Sequence, residues 1–177
     1  MVCVPAYNVY MELVEIRTVL KRQHRAALTM LRQAIELCPE DLWLQGEHPR
    51  TTWRIAYHAA GYAHLYLYDD LGSWKPWEKA RNECAVLEGD DVEVMEPYTK
   101  QEMLDFMDLI LAEVDPRIDA LDLEAPKCGF TWYPKVSRLE LMILSLRHIH
   151  GHLGQLHELL IARGLDVDWL GPDPTLK

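Results

Sequence analysis

Four of the eight histidines lie between Ser137 and Gly164, and the spacing of two of them points to metal chemistry. His148 and His152 are four residues apart, so on a helix they share one face at a separation of about 6 Å. Imidazoles at that spacing can bind one ion, each nitrogen at about 2.0 to 2.1 Å. His150 and His157 lie on the opposite face, about 10 Å apart along the axis, and cannot share an ion. The residues leave open a metal site or two hydrogen-bonded core histidines.

Local signals define the helix that carries this pair. Ser137 and Glu140 form an S-x-x-E capping box, which marks a helix start. Gly164 is suited to the left-handed position that ends a helix. We therefore predict one helix from Ser137 to about Gly164.

Three further long helices are predicted from the spacing of apolar residues, over about residues 8–38, 51–72 and 99–121. The third begins with a second capping box, Thr99 with Glu102. The connection over residues 73–98 is long, so we expect it to contain a short helix that starts near Pro76.

These elements predict an all-α fold, a four-helix bundle, in a single domain of residues 1–177 with an irregular tail over 165–177. The long connection between the second and third helices permits a parallel crossover. The predicted helix order is therefore up-down-down-up.

Composition excludes two classes of partner. A net charge of −10 repels phosphate backbones and anionic membrane surfaces, so we expect neither nucleic-acid nor membrane binding. No apolar run approaches the roughly 18 residues of a membrane span, and no secretory signal is present. We expect a cytoplasmic protein whose four scattered cysteines are reduced thiols, namely Cys3, Cys38, Cys84 and Cys128.

Two segments together resemble a known family. The first is W-R-I-A-Y-H-A-A-G-Y with His58 at its centre, and the second, about 90 residues later, is L-R-H-I-H-G-H-L-G-Q-L with His148 and His152. Their order and separation, the closing Gly164 and the chain length are similar to those of the DinB/YfiT-like metal-binding four-helix bundles. The resemblance covers nearly the whole chain.

The resemblance implies a site in which His58, His148 and His152 bind one divalent transition ion. Zinc or nickel is the first choice, and iron, manganese and copper stay open because imidazole suits several of these metals. Gln155 is expected to orient an imidazole or a bound water. Family members with known activity use a metal-bound low-molecular-weight thiol for transfer or isomerisation, and many others have no assigned reaction. If this chain is an enzyme, the resemblance implies a metal-dependent, thiol-dependent transferase acting on a small-molecule substrate.

Two other functions remain in view. A hydrolase is disfavoured because no H-E-x-x-H pattern occurs. The alternative from a different class is a non-catalytic helical binding or stress-response module, metal-loaded or not, with a homodimer through its aromatic faces left open. No catalytic residue can be named from the sequence.

Overall fold

The computed structural model describes residues 6–89 and 93–171, with side chains from residue 13 onward. Regular secondary structure in these residues is helical throughout, which confirms the predicted all-α class. The helices are α1 (Ala6–Leu37), α2 (Glu40–Trp43), α3 (Thr52–Tyr66), α4 (Lys100–Ala120) and α5 (Arg138–Ile161), with one 3-10 turn at Asn82–Ala85. Cys3 and the last part of the predicted tail, 172–177, lie outside the described residues.

Contacts at both ends show that α1 and α4 are antiparallel. Arg17 in α1 donates to the Leu121 carbonyl at the end of α4, at 2.7 Å. Lys100, the first residue of α4, donates to the carbonyl of Glu36 near the end of α1, at 3.1 Å. Ion pairs between the two helices, such as Arg32 with Asp108 at 2.7 Å, lie between these ends.

Helix α3 is antiparallel to α5 and parallel to α4. Arg138 at the start of α5 donates to the Tyr68 carbonyl just beyond α3, at 2.8 Å. Arg50, just before α3, reaches Gln155 in the last third of α5. Tyr68 also donates to Glu113 in the second half of α4, at 2.9 Å. The core lies among these four long helices, and its largest fully buried side chains include Leu28, Leu31, Ile35, Trp43, Met103, Phe106, Met107, Ile110, Ile118 and Leu141.

The predicted end of the second long helix at Gly72 is wrong, because α3 ends at Tyr66. The guanidinium of Arg138 takes the carbonyls of Tyr68 and Asp69, which a continuing helix would use internally. The Asp70 carboxylate then accepts from the Ser73 N–H at 2.8 Å, which closes a turn in place of a further helical turn.

The predicted helix near Pro76 is also wrong. The connection after α3 instead contains the single 3-10 turn at Asn82–Ala85, followed by residues without regular structure. Arg54 of α3, which is 1% exposed, holds this part of the connection by donating to the carbonyls of Glu83, Val86 and Glu93. These three bonds replace the internal hydrogen bonds that a helix would have supplied.

The predicted caps are confirmed where they are local. Thr99 and Glu102 form the full capping box at the start of α4, and the Ser137 side chain accepts from the Glu140 N–H at 3.2 Å. The short helix α2 was not predicted. Among the described residues, no helix combines the length and apolar character needed to cross a bilayer.

Candidate metal centre

Three imidazoles from two helices meet on one side of the bundle. His58 comes from the middle of α3, and His148 and His152 come from successive turns of α5. Their ring centroids form a nearly equilateral triangle with sides of 4.8, 4.6 and 4.7 Å. The antiparallel contact of α3 with α5 thus brings together residues that are 90 positions apart in the chain.

The donor atoms lie close enough to share an ion. The Nε2 atoms of His58 and His148 are 2.9 Å apart, and one ligand atom from each of the three rings lies within 4.8 Å of the others. Two nitrogens bound to one ion at about 2.0 to 2.1 Å are about 3.3 Å apart in tetrahedral geometry. The 2.9 Å pair is slightly closer than this value, and the other separations are at most 4.8 Å.

Hydrogen bonds fix which nitrogen of His58 faces the centre. Its Nδ1 lies 2.6 Å from the carbonyl oxygen of Ala85. A carbonyl only accepts, so Nδ1 carries the proton and, in the neutral ring, Nε2 presents a lone pair towards His148. The 2.9 Å separation fits a proton or a cation held between the two nitrogens, since two bare lone pairs at that distance repel each other.

His152 is oriented in the same way by Gln155. The Gln155 Oε1 atom lies 3.0 Å from His152 Nδ1, and it also accepts from the Arg50 guanidinium at 3.3 Å. Because Arg50 can only donate, the amide presents its oxygen to both partners, and His152 Nδ1 is the donor. From the sequence, Gln155 was expected to orient an imidazole or a bound water, and this contact is of the first kind. It leaves the Nε2 lone pair of His152 free to bind an ion.

Burial keeps the three rings neutral. Burial lowers the pKa of His58 to about 4 against the opposing effect of the Ala85 hydrogen bond, and it lowers the pKa of His148 to about 3, helped by the two neighbouring histidines. Burial also lowers the pKa of His152, and the charge of Arg50 acts in the same direction. Neutral imidazole is the form that binds metal ions.

One polar atom at this centre has no partner within the described residues. The Nδ1 atom of His148 is buried and makes no hydrogen bond there, unlike the corresponding atoms of His58 and His152. Two of the three rings thus have the carbonyl-type partner that metal-binding histidines usually have. The donor set and its orientation fit a divalent transition ion.

Two open cavities meet at the histidines. One, of about 400 Å³, is lined by all three rings together with Arg50, Tyr62 and Glu88. The other, of about 300 Å³, lies between His58, His148 and the rings of Tyr62, Tyr66, Trp132 and Tyr133. A small molecule can therefore approach the centre beside a guanidinium on one side and aromatic rings on the other.

The aromatic side is built by the connection between α4 and α5. Gly129 has a φ of +87°, and a side chain there would collide with the Asp69 carbonyl oxygen. The backbone at Gly129 can therefore approach the end of α3. This approach brings Phe130 to 5.4 Å from Tyr66, ring to ring, and places Trp132 beside the site.

The remaining described histidines lie outside the centre. His24 is buried in α1, and His64 is buried beside Glu113, with Nε2 to Oε2 at 3.4 Å. His150 is exposed, and His157 contacts Asp166 at 2.6 Å. His48 lies in the loop before α3 and is exposed.

The described cysteines are buried free thiols, as predicted, namely Cys38, Cys84 and Cys128. Cys84 is closest in sequence to the residues around the site, but it is 0% exposed and burial raises its pKa. A buried protonated thiol is a poor nucleophile. The structure therefore gives no support to catalysis by a protein thiol among these three residues.

Several residues around the centre were not singled out from the sequence. Tyr62 and Tyr66 follow His58 at successive four-residue steps, so helical spacing alone places them on the same face, and that signal was available. Arg50, Glu88 and the Ala85 carbonyl belong to connections. Their positions depend on long-range contacts that leave no local pattern.

The chain matches no protein-family model, and no match was found among curated proteins or solved structures.

Proposed function

We propose that this protein binds one divalent transition ion through His58, His148 and His152 and acts on a small molecule bound beside that ion. The observation that carries the proposal is the convergence of three neutral imidazoles within 4.8 Å of one another. Zinc and nickel are the first candidates, because both accept imidazole ligands.

The helix directions support the resemblance to the DinB/YfiT-like bundles. With α1 antiparallel to α4, α4 parallel to α3, and α3 antiparallel to α5, the four long helices follow the order up-down-down-up. That is the order predicted from the long connection between the second and third long helices. The proposed protein is a DinB-like metal-binding bundle, and we propose a cytoplasmic location for it.

The proposed reaction is transfer to or from a low-molecular-weight thiol. An ion held by three neutral ligands keeps its full charge and lowers the pKa of a thiol that binds it. The chain supplies the rest: Ala85 and Gln155 orient the ligands, and the rings of Tyr62 and Trp132 cover one side of the site. Arg50 offers a positive charge to an anionic group of the substrate from the other side.

Metal titration tests the ion site. Metal-stripped protein is titrated with zinc and with nickel, and the bound ion is quantified by elemental analysis after gel filtration. We expect one ion per chain in the wild type and in His150→Ala, which removes an exposed histidine of the same helix. His58→Ala, His148→Ala and His152→Ala should each weaken binding by more than the 10- to 100-fold that is typical when a ligand loses the group that hydrogen-bonds to it.

Two results separate this proposal from the non-catalytic alternative. Absence of a stoichiometric ion in the wild type would favour a helical binding or stress-response module. If the ion binds, consumption of a small electrophile in the presence of a thiol distinguishes a transferase from a metal-loaded binder. Turnover that survives removal of the metal would contradict the proposed mechanism.

A further inference from the structure

A third cavity, of about 280 Å³, adjoins the metal centre and is walled mainly by aromatic rings. We call it the aromatic cavity. Its largest lining side chains are Tyr57, Tyr62, Trp74, Trp77, Phe106 and Trp132. It lies between α3, α4 and the connection that follows α3.

The aromatic cavity and the metal centre share walls. Tyr62 lines the aromatic cavity and both cavities at the histidines, and its ring centroid is 4.8 Å from that of His58 and 5.4 Å from that of His148. Trp132 lines two of these spaces, as do Ala85 and Val86. A molecule that occupies the aromatic cavity therefore lies one side chain away from the ion ligands.

The side chains that line the aromatic cavity favour an uncharged ligand. No side chain that lines the aromatic cavity carries a formal charge, and its polar groups are the Tyr57 and Tyr62 hydroxyls, the Asn82 amide and the indole N–H groups of Trp74, Trp77 and Trp132. The Tyr57 hydroxyl already accepts from the Arg81 N–H at 3.0 Å. Placing a charged group there without a partner would cost several kilocalories per mole. Charged side chains, those of Arg50 and Glu88, line the neighbouring cavity of about 400 Å³ that contains the three histidines.

The volume of the aromatic cavity is suited to an aromatic ring. An engineered apolar cavity of about 150 Å³ binds benzene. The aromatic cavity is nearly twice that size, so it accommodates a substituted single ring or a fused pair of rings. Flat walls formed by Trp77 and Phe106, which stack at 4.6 Å with an angle of 9° between their planes, suit an aromatic occupant.

We propose that the aromatic cavity binds the uncharged aromatic part of a small substrate whose donor atom, one short linker away, binds the ion at His58, His148 and His152. This inference rests on the proposed function and narrows its substrate to arylalkyl compounds. With a thiol donor, an ion held by these three histidines would favour the thiolate form, and the thiol proton would leave to the buffer.

Gly61 provides a variant that fills the aromatic cavity without distorting the helix. It lines the cavity in the middle of α3, and a Cβ atom built there meets no atom within 4 Å. Gly61→Leu should therefore fold, and leucine is also the better helix former. Gly154→Leu is the matched control, because Gly154 is an exposed residue of α5 whose Cβ position is equally open and which lines none of the three cavities.

The first measurement needs no metal. Toluene is titrated into metal-free protein while tryptophan emission is recorded, since three tryptophans line the aromatic cavity. We expect saturable changes in the wild type and Gly154→Leu, and none in Gly61→Leu. Absence of a saturable change in the wild type would overturn the inference.

The second measurement connects the aromatic cavity to the ion. Zinc-loaded protein is titrated calorimetrically with 2-phenylethanethiol and with ethanethiol, which share the donor but not the ring. We expect the phenyl compound to bind about 10- to 100-fold more tightly in the wild type and Gly154→Leu, from the burial of its ring. Gly61→Leu should abolish this advantage and leave ethanethiol binding within about threefold.

The outcomes distinguish this inference from the proposed function. Equal affinities of the two thiols in zinc-loaded wild type, or an advantage that persists in Gly61→Leu, would overturn this inference alone. A wild-type protein that binds no ion would overturn the proposed function, and this inference with it.

Discussion

Acid should destabilise this protein in a way that can be traced to a single buried residue, His24. Its side chain is 1% exposed in α1, with Nδ1 donating to the Leu20 carbonyl at 2.8 Å and Nε2 without a partner among the described residues. Burial lowers the pKa of His24 to about 4, against the opposing effect of the Leu20 hydrogen bond. Replacing it with leucine removes the titrating group and keeps a side chain of similar size.

The size of the effect follows from proton linkage. Above about pH 7.5, one unit above the ordinary histidine pKa of about 6.5, His24 is almost fully neutral in both the folded and the unfolded chain and contributes little pH dependence. As the pH falls towards 4, the unfolded chain takes up a proton that the folded chain excludes, so the free energy of unfolding falls by about 1.4 kcal/mol per pH unit. Relative to His24→Leu, the wild type should lose about 1.4 kcal/mol at pH ~5.5 and about 2.6 kcal/mol at pH ~4.5.

Urea unfolding of metal-free protein at these pH values and at pH ~7.5 measures the difference. His150→Leu is the control, because it makes the same replacement at an exposed histidine of α5. The other buried histidines titrate equally in wild type and variant, so they cancel. If the His24→Leu and wild-type curves stay parallel within about 0.5 kcal/mol, burial of His24 does not control its protonation.

Two further predictions concern the surroundings of the metal centre. Gln155→Ala should weaken ion binding by about 10- to 100-fold, because His152 Nδ1 loses its 3.0 Å partner, whereas Gln155→Glu should retain affinity. Competition with a chromogenic chelator measures both, and equal affinities of Gln155→Ala and wild type would show that the amide has no orienting role. Arg54→Met should cost about 2 to 4 kcal/mol in unfolding free energy, because three carbonyls of the 83–93 connection lose their donor. Hydrogen exchange should then rise in that connection before it rises in α5, and unchanged protection there would contradict the role assigned to Arg54.

The features that sequence reasoning obtained are local. His148 and His152 share a helix face because they are four residues apart, and Thr99 and Glu102 form a capping box because they are three residues apart. Neither conclusion requires knowledge of the fold. His58 was different: its spacing to the pair carries no geometric information, and its place in the site came from the resemblance.

The features that sequence reasoning missed depend on contacts between distant residues. Apolar and aromatic periodicity continues past Tyr66, but Arg138 takes two carbonyls 70 and 69 residues earlier in the chain and helps end α3 there. Likewise, Pro76 is typical of a helix start. The conformation of the connection nevertheless depends on hydrogen bonds that Arg54 of α3 donates to its carbonyls. The local sequence does not indicate which carbonyls the guanidinium groups of Arg54 and Arg138 bind.

The attachment of the 83–93 connection to α3 constrains how the site can work. Arg54 binds this connection one helical turn before His58. The same connection supplies the Ala85 oxygen that orients the His58 ring. If this connection moved away from α3 to admit a large molecule, His58 would lose the hydrogen bond that orients its ring towards that molecule. The cavity beside Trp132 and Tyr133 reaches His58 and His148 without including this connection in its lining. A small molecule can therefore approach the histidines from that side while the Ala85 hydrogen bond to His58 stays in place.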